Sequence, residues 1–145
     1  MTIVRTFYQS FQELLAPRHC EACGEAHTSP SRSTGLVFLC DTCYASLKAP
    51  PREAELQQRL LRHFSQDELS ISNFFSLMAV PGTSPMLDLI HSLKYRGMST
   101  IGYELGKELG MSMYHLQFLD FEMIVPIPIH SARKRERGYN QAEEI

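Results

Sequence analysis

Residues 20–43 read CEACGEAHTSPSRSTGLVFLCDTC, two C-x2-C pairs with sixteen residues between them. Two residues between cysteines let one tight knuckle aim both thiolates at a single point. Two such knuckles, brought together by a hairpin, make the tetrahedral all-sulfur cage that zinc prefers. The candidate ligands are Cys20, Cys23, Cys40 and Cys43. Gly24 follows the first pair, where a knuckle needs a relaxed backbone. Residues 36–39 are short, apolar and partly β-branched, as expected of a strand entering the second knuckle. Disulfides and free buried thiols compete with this reading. A reducing cytosol disfavours the first, and the paired spacing disfavours the second. Four thiolates leave no open position for water or substrate, so the implied zinc is structural. In a segment too short to bury much core, the metal would supply most of the folding free energy, about 10–16 kcal/mol in zinc-finger peptides. His19 and His27 lie close by and read as bystanders.

On the N-terminal side, Val4, Phe7, Phe11, Leu14 and Leu15 recur at helical spacing until Pro17, which suggests an amphipathic helix packed on the zinc module. After the second knuckle, residues 44–48 suggest a short helical turn broken at 49–51. Residues 52–64 then read as a charged helix with Leu56, Leu60 and Phe64 on one face. The expected organisation is a zinc ribbon with its leading helix at 1–48, a connector at 49–68 and an α/β unit at 69–145.

The α/β expectation rests on the order strand, helix, helix, strand. FFSLMAV at 74–80 is an apolar run closed by Pro81-Gly82, as expected of a buried strand and its turn. Ser84 can cap a following helix and Pro85 suits its first position. Met86, Leu89, Ile90 and Leu93 form the buried stripe of that helix, and Gly97 can end it. A second helix opens at Thr100 with Ile101, Leu105, Leu109 and Met113 at four-residue spacing. Gly102, Gly106 and Gly110 repeat on a neighbouring ridge, which predicts close approach of a strand or another helix. EMIVPIPIH at 122–130 is apolar on both faces, as expected of a strand covered by helices on each side. Pro126 and Pro128 lie two apart, so their missing N–H groups fall on one edge. The strand pairs on its other edge and borders a crevice, the usual ligand position in open α/β sheets. Beyond it come Ser131, a candidate helix cap, and Arg133, Lys134, Arg135 and Arg137. These residues suit a phosphate site, or else a solvated basic helix.

Composition limits the alternatives. Apolar content of 43% and charged content of 21% are those of a globular chain rather than a disordered one. The apolar runs are too short to span a bilayer, and the N-terminus lacks the unbroken apolar stretch of a signal peptide, so a cytoplasmic location is expected. A net charge of −2 confines any anion site to a local basic cluster.

The ordered set of motifs resembles the ComF family, competence-associated proteins that join a zinc-binding module to a phosphoribosyltransferase-like domain. The matching stretches are the two cysteine pairs, LIHSLKYRG at 89–97, LGKELG at 105–110, IVPIPIH at 124–130 and RKRERGYNQAEEI at 133–145. The resemblance implies a type I phosphoribosyltransferase fold that binds phosphoribosyl pyrophosphate with magnesium. It places Lys94, Arg96, Arg137 and Asn140 near the phosphates. It also implies a link to DNA uptake, so the alternative function is a zinc-ribbon module that binds single-stranded DNA or uptake proteins. Family members carry a later strand ending in an acidic pair and a Thr-Thr-Gly loop that cradles the 5′-phosphate. No Thr-Thr-Gly occurs here, and one acidic pair, Glu143-Glu144, falls within an apparent helix. The expectation is therefore a C-terminally truncated relative that does not itself catalyse transfer.

Overall fold

The computed structural model describes residues 18–27, 36–65, 67, 70, 71, 73–117 and 121–145. The helix expected before Pro17 lies outside the described residues. Among the described residues the chain is mostly helical, with very little strand. Strands β1 (Arg18–His19) and β2 (Ala26–His27) pair antiparallel, with His19 opposite Ala26. Helix α1 spans Asp41–Ala45, α2 Glu53–Leu61, α3 Pro85–Tyr95, α4 Ser99–His115, α5 Ser131–Arg137 and α6 Gln141–Glu144.

The central pair of helices forms as its sequence dictates. The Ser84 hydroxyl accepts a hydrogen bond from the Met86 N–H at 3.3 Å, and Pro85 occupies the first turn of α3. Gly97 adopts a left-handed φ of 71° just past the end of α3, a conformation that other residues adopt at a cost. Met86, Leu89 and Leu93 of α3 and Ile101 and Leu105 of α4 are fully buried. The same core contains Cys20, Leu36 and Leu39. Residues assigned from sequence to the first and the third segment therefore pack in a single core.

The glycine ridge has a structural cause. A Cβ on Gly102 would lie 2.6 Å from the Glu144 Cβ, and one on Gly106 would overlap the Ile145 carbonyl. Bare backbone on α4 thus lets α6 lie against it. The Tyr139 hydroxyl, donating to the Leu93 carbonyl, ties the turn before α6 to α3. Asn140 caps α6 by accepting from the Ala142 N–H at 3.2 Å.

Three expected strands are not formed as ladders. Residues 36–39 make a turn instead, closed by the Leu39 N–H donating to the Leu36 carbonyl at 3.2 Å. At 74–80 the pairing reduces to one antiparallel bridge, Lys48 with Ala79, where the Ala79 N–H donates to the Lys48 carbonyl at 3.1 Å. The 122–130 run is not assigned as a strand, and most of its apolar side chains face solvent rather than two covering helix layers. These runs have strand-forming composition. A strand, however, is completed by a neighbour, and among the described residues no second strand lies beside any of them. The α/β sheet expected from sequence is therefore not present among the described residues. Nor does Ser131 act as the cap of α5: the His130 ring does, its Nδ1 accepting from the Ala132 N–H at 3.2 Å.

The glycines of α4 give contrasting expectations. Gly106→Ala places a methyl against backbone and lowers the melting temperature despite the better helix propensity of Ala. Gly110 has open space where its Cβ would be, so Gly110→Ala should stabilise the fold by about 1 kcal/mol, measured by thermal denaturation. Equal effects at the two positions would mean that α6 does not dock on this ridge.

Candidate metal centre

The first knuckle is shaped by backbone hydrogen bonds. The Gly24 N–H donates to the Cys20 carbonyl at 2.8 Å, and the Cys20 N–H to the Glu25 carbonyl at 2.9 Å. Gly24 takes a φ of 74°, the left-handed turn that lets Cys23 swing back toward Cys20. The second knuckle uses a different device. Cys40 precedes α1 and Cys43 lies within it, one turn on, so the helix itself brings their sulfurs to one side. The Glu21 N–H, donating to the Phe38 carbonyl at 3.0 Å, joins the two knuckles.

The Sγ atoms of Cys20, Cys23, Cys40 and Cys43 all lie within 4.8 Å of one another. Cys23 Sγ and Cys40 Sγ are 3.7 Å apart. That is far longer than a disulfide bond and close to the edge of a tetrahedron with metal–sulfur bonds of about 2.3 Å. The donor set therefore fits a metal ion. All four candidate ligands from the sequence converge on this site. His19 is exposed on β1 and is not part of the sulfur cluster.

Crowding four thiols shifts their acidities apart. Burial works to raise Cys20, but the backbone N–H groups around it outweigh burial and bring it down to about 7. Burial and the neighbouring cysteines push Cys43 well up. A divalent cation at the centre is what would let all four sulfurs ionise together.

The centre is anchored to the helices. The Glu21 carboxylate, inside the first knuckle, accepts from the Ser92 hydroxyl at 2.9 Å and from the Arg96 guanidinium at 3.2 Å. Ser92 is buried, so this charge-assisted bond is shielded, whereas Arg96 is largely exposed and contributes less. Sequence alone does not single out Glu21. The signal available is its position between two ligands, which says nothing of a partner 71 residues away.

Of the four residues expected near phosphates, two share a cleft. Lys94 and Arg137 line one cleft of about 150 Å³ with Tyr95, Gly97 and Glu136. Arg96 turns to Glu21. Asn140 is buried, and its Nδ2 donates to the Ile127 carbonyl at 3.0 Å. Arg137 lies over the Tyr95 ring at 5.2 Å and donates through Nη1 to Gln141 Oε1 at 2.9 Å. Its Nε is buried without a hydrogen-bond partner.

The reduced protein should take up one equivalent of zinc or cobalt. Binding displaces the protons that the raised thiols hold at neutral pH, so affinity should fall as pH is lowered from mildly alkaline to mildly acidic. Cobalt titration followed by thiolate charge-transfer absorption measures this. Cys43→Ser should weaken binding severely, and chelation should unfold the two cysteine knuckles, with a loss on the order of 10 kcal/mol of apparent binding free energy. Against known proteins, no family model, no curated protein and no solved structure matches the chain.

Proposed function

We propose that this protein is a zinc-stabilised relative of the ComF-type phosphoribosyltransferases whose cleft beside α3 binds the phosphate groups of a ribose phosphate. The metal centre is structural in this reading: zinc occupies the four cysteines and fixes the N-terminal ribbon. A cytoplasmic, reducing setting in which the thiols stay available belongs to the same proposal.

The observation that carries the anion site is Arg137. Its buried Nε has no acceptor, and its side chain lines a cleft together with Lys94. A buried guanidinium N–H without a partner costs free energy that an incoming oxyanion would recover. The stack on Tyr95 and the bond to Gln141 hold the guanidinium in place while leaving Nε free. Glu136 lines the same cleft, so a ligand's anionic edge must turn toward Lys94 and Arg137. Magnesium would enter with phosphoribosyl pyrophosphate and offset part of its negative charge. Binding is the proposed activity of these residues, and none of them is assigned the transfer step.

A second reading, single-stranded DNA or an uptake protein as the partner, draws on the exposed Arg133 and Arg135 of α5. Calorimetry with phosphoribosyl pyrophosphate and magnesium separates the two. Saturable heat should appear with the zinc-loaded protein. Arg137→Ala should weaken it on the order of tenfold or more, and Arg96→Ala should leave it nearly unchanged. No heat, together with salt-sensitive binding of a DNA oligonucleotide, would replace the first reading with the second.

A further inference from the structure

The four sulfurs of the metal centre are not equally reachable. Cys20 is 2% exposed and belongs to the core with Leu36 and Leu39. Cys40 and Cys43 are half-buried, and Cys23 alone of the four is exposed. An open cavity of about 410 Å³ lies against it, where Cys23 and Cys43 share a wall with Ala22, Leu87 and Asp88 near the start of α3. A small reagent arriving from water therefore meets Cys23 first.

Cys23 also has a partner within reach. Its Sγ lies 3.7 Å from Cys40 Sγ, so the gap to a disulfide is roughly 1.7 Å. Cys23 belongs to the first knuckle and Cys40 to the second, 17 residues on. A bond between them joins the two knuckles, the connection that a metal ion otherwise makes. A bond within either C-x2-C pair would leave the knuckles unlinked. Two contacts without sulfur keep the knuckles in place during the exchange. The Glu21 N–H donates to the Phe38 carbonyl, and the Glu21 carboxylate accepts from the Ser92 hydroxyl.

We propose that Cys23 is an oxidation site and Cys40 its resolving thiol, so that hydrogen peroxide converts the zinc-loaded centre reversibly into a metal-free Cys23–Cys40 disulfide. The inference rests on the reading that the four cysteines hold a metal ion. The Cys23 thiolate attacks the peroxide and its O–O bond breaks. One oxygen stays on sulfur as a sulfenic acid, and the other leaves as hydroxide. The Cys40 thiolate then attacks the Cys23 sulfur and displaces a second hydroxide as the S–S bond forms. Two protons from solvent turn the hydroxides into water. Two electrons have passed from sulfur to oxygen, and the metal ion keeps its charge throughout. Cys20 and Cys43 alone are too few to retain it. Two equivalents of a small thiol reverse the change by exchange, becoming a disulfide themselves.

Treating the zinc-loaded full chain with limiting hydrogen peroxide tests this. A chromogenic chelator follows released zinc, and mass spectrometry maps the disulfides. One zinc should leave per peroxide consumed, with Cys23–Cys40 the main bond, and dithiothreitol should restore zinc binding. Cys23→His keeps a ligand for the metal but removes the attacking thiol, and should slow release on the order of tenfold or more. Cys40→His should leave Cys23 as a sulfenic acid that dimedone traps. Where a variant fails to hold zinc, the disulfide map of the unaltered protein decides. Bonds confined to Cys20–Cys23 or Cys40–Cys43, zinc retained through peroxide, or release indifferent to a folded Cys23→His would each overturn the proposal and leave the metal centre standing. A reduced protein that holds no zinc before oxidation would overturn the metal reading and the proposal together.

Discussion

Four sulfur atoms within 4.8 Å are stable together as thiolates only around a positive charge. Without a cation the cluster must keep protons, and the first knuckle is then held by a few backbone hydrogen bonds and by Gly24. With one, Cys20 is fixed at the edge of the core beside Leu36 and Leu39, where the ribbon meets α3 and α4. Among the described residues that core contains few large side chains. The short knuckle segments bury little apolar surface of their own, which is where a bound metal ion would matter most.

The second organising constraint is the bare backbone of α4. Gly102 and Gly106 let α6 approach to a distance that any Cβ would forbid. That approach sets Gln141 in place, and Gln141 in turn receives the Arg137 guanidinium. The cleft beside Lys94 is thus a downstream product of two glycines on a different helix. Helix propensity lost on α4 is exchanged for the position of a cation at the end of α5.

What can be read in the sequence and what cannot divide along a physical line. The cluster of four cysteines, the Ser84–Pro85 start of α3, the Gly97 stop and the close approach over the glycine ridge are local or periodic signals, and each appears where its chemistry places it. The 74–80 and 122–130 runs have the composition of strands, but a strand depends on a neighbour that composition does not name. Asn140, expected near phosphate, instead caps α6 and holds Ile127, because a buried amide at a helix start satisfies backbone groups first. The Glu21 contact with Ser92 and Arg96 is illegible for the same reason as the strands: the partner lies far away along the chain.

Helix α3 explains why Lys94 and Arg96, neighbours in one short motif, serve different sites. Ser92 and Arg96 are four residues apart and so share a face, the one turned to Glu21 in the first knuckle. Lys94 and Tyr95 project at other angles around the same axis, toward Arg137. One helix therefore touches the four-cysteine knuckles on one face and the Lys94–Arg137 cleft on another, with the buried Leu89 and Leu93 seating it in the core between them. A displacement of α3 that loosened the Glu21 contact would also move Lys94 and the Tyr95 ring on which Arg137 rests. Lys94 and the Tyr95–Arg137 pair are in this way coupled, through α3, to the Glu21 contact beside the four cysteines.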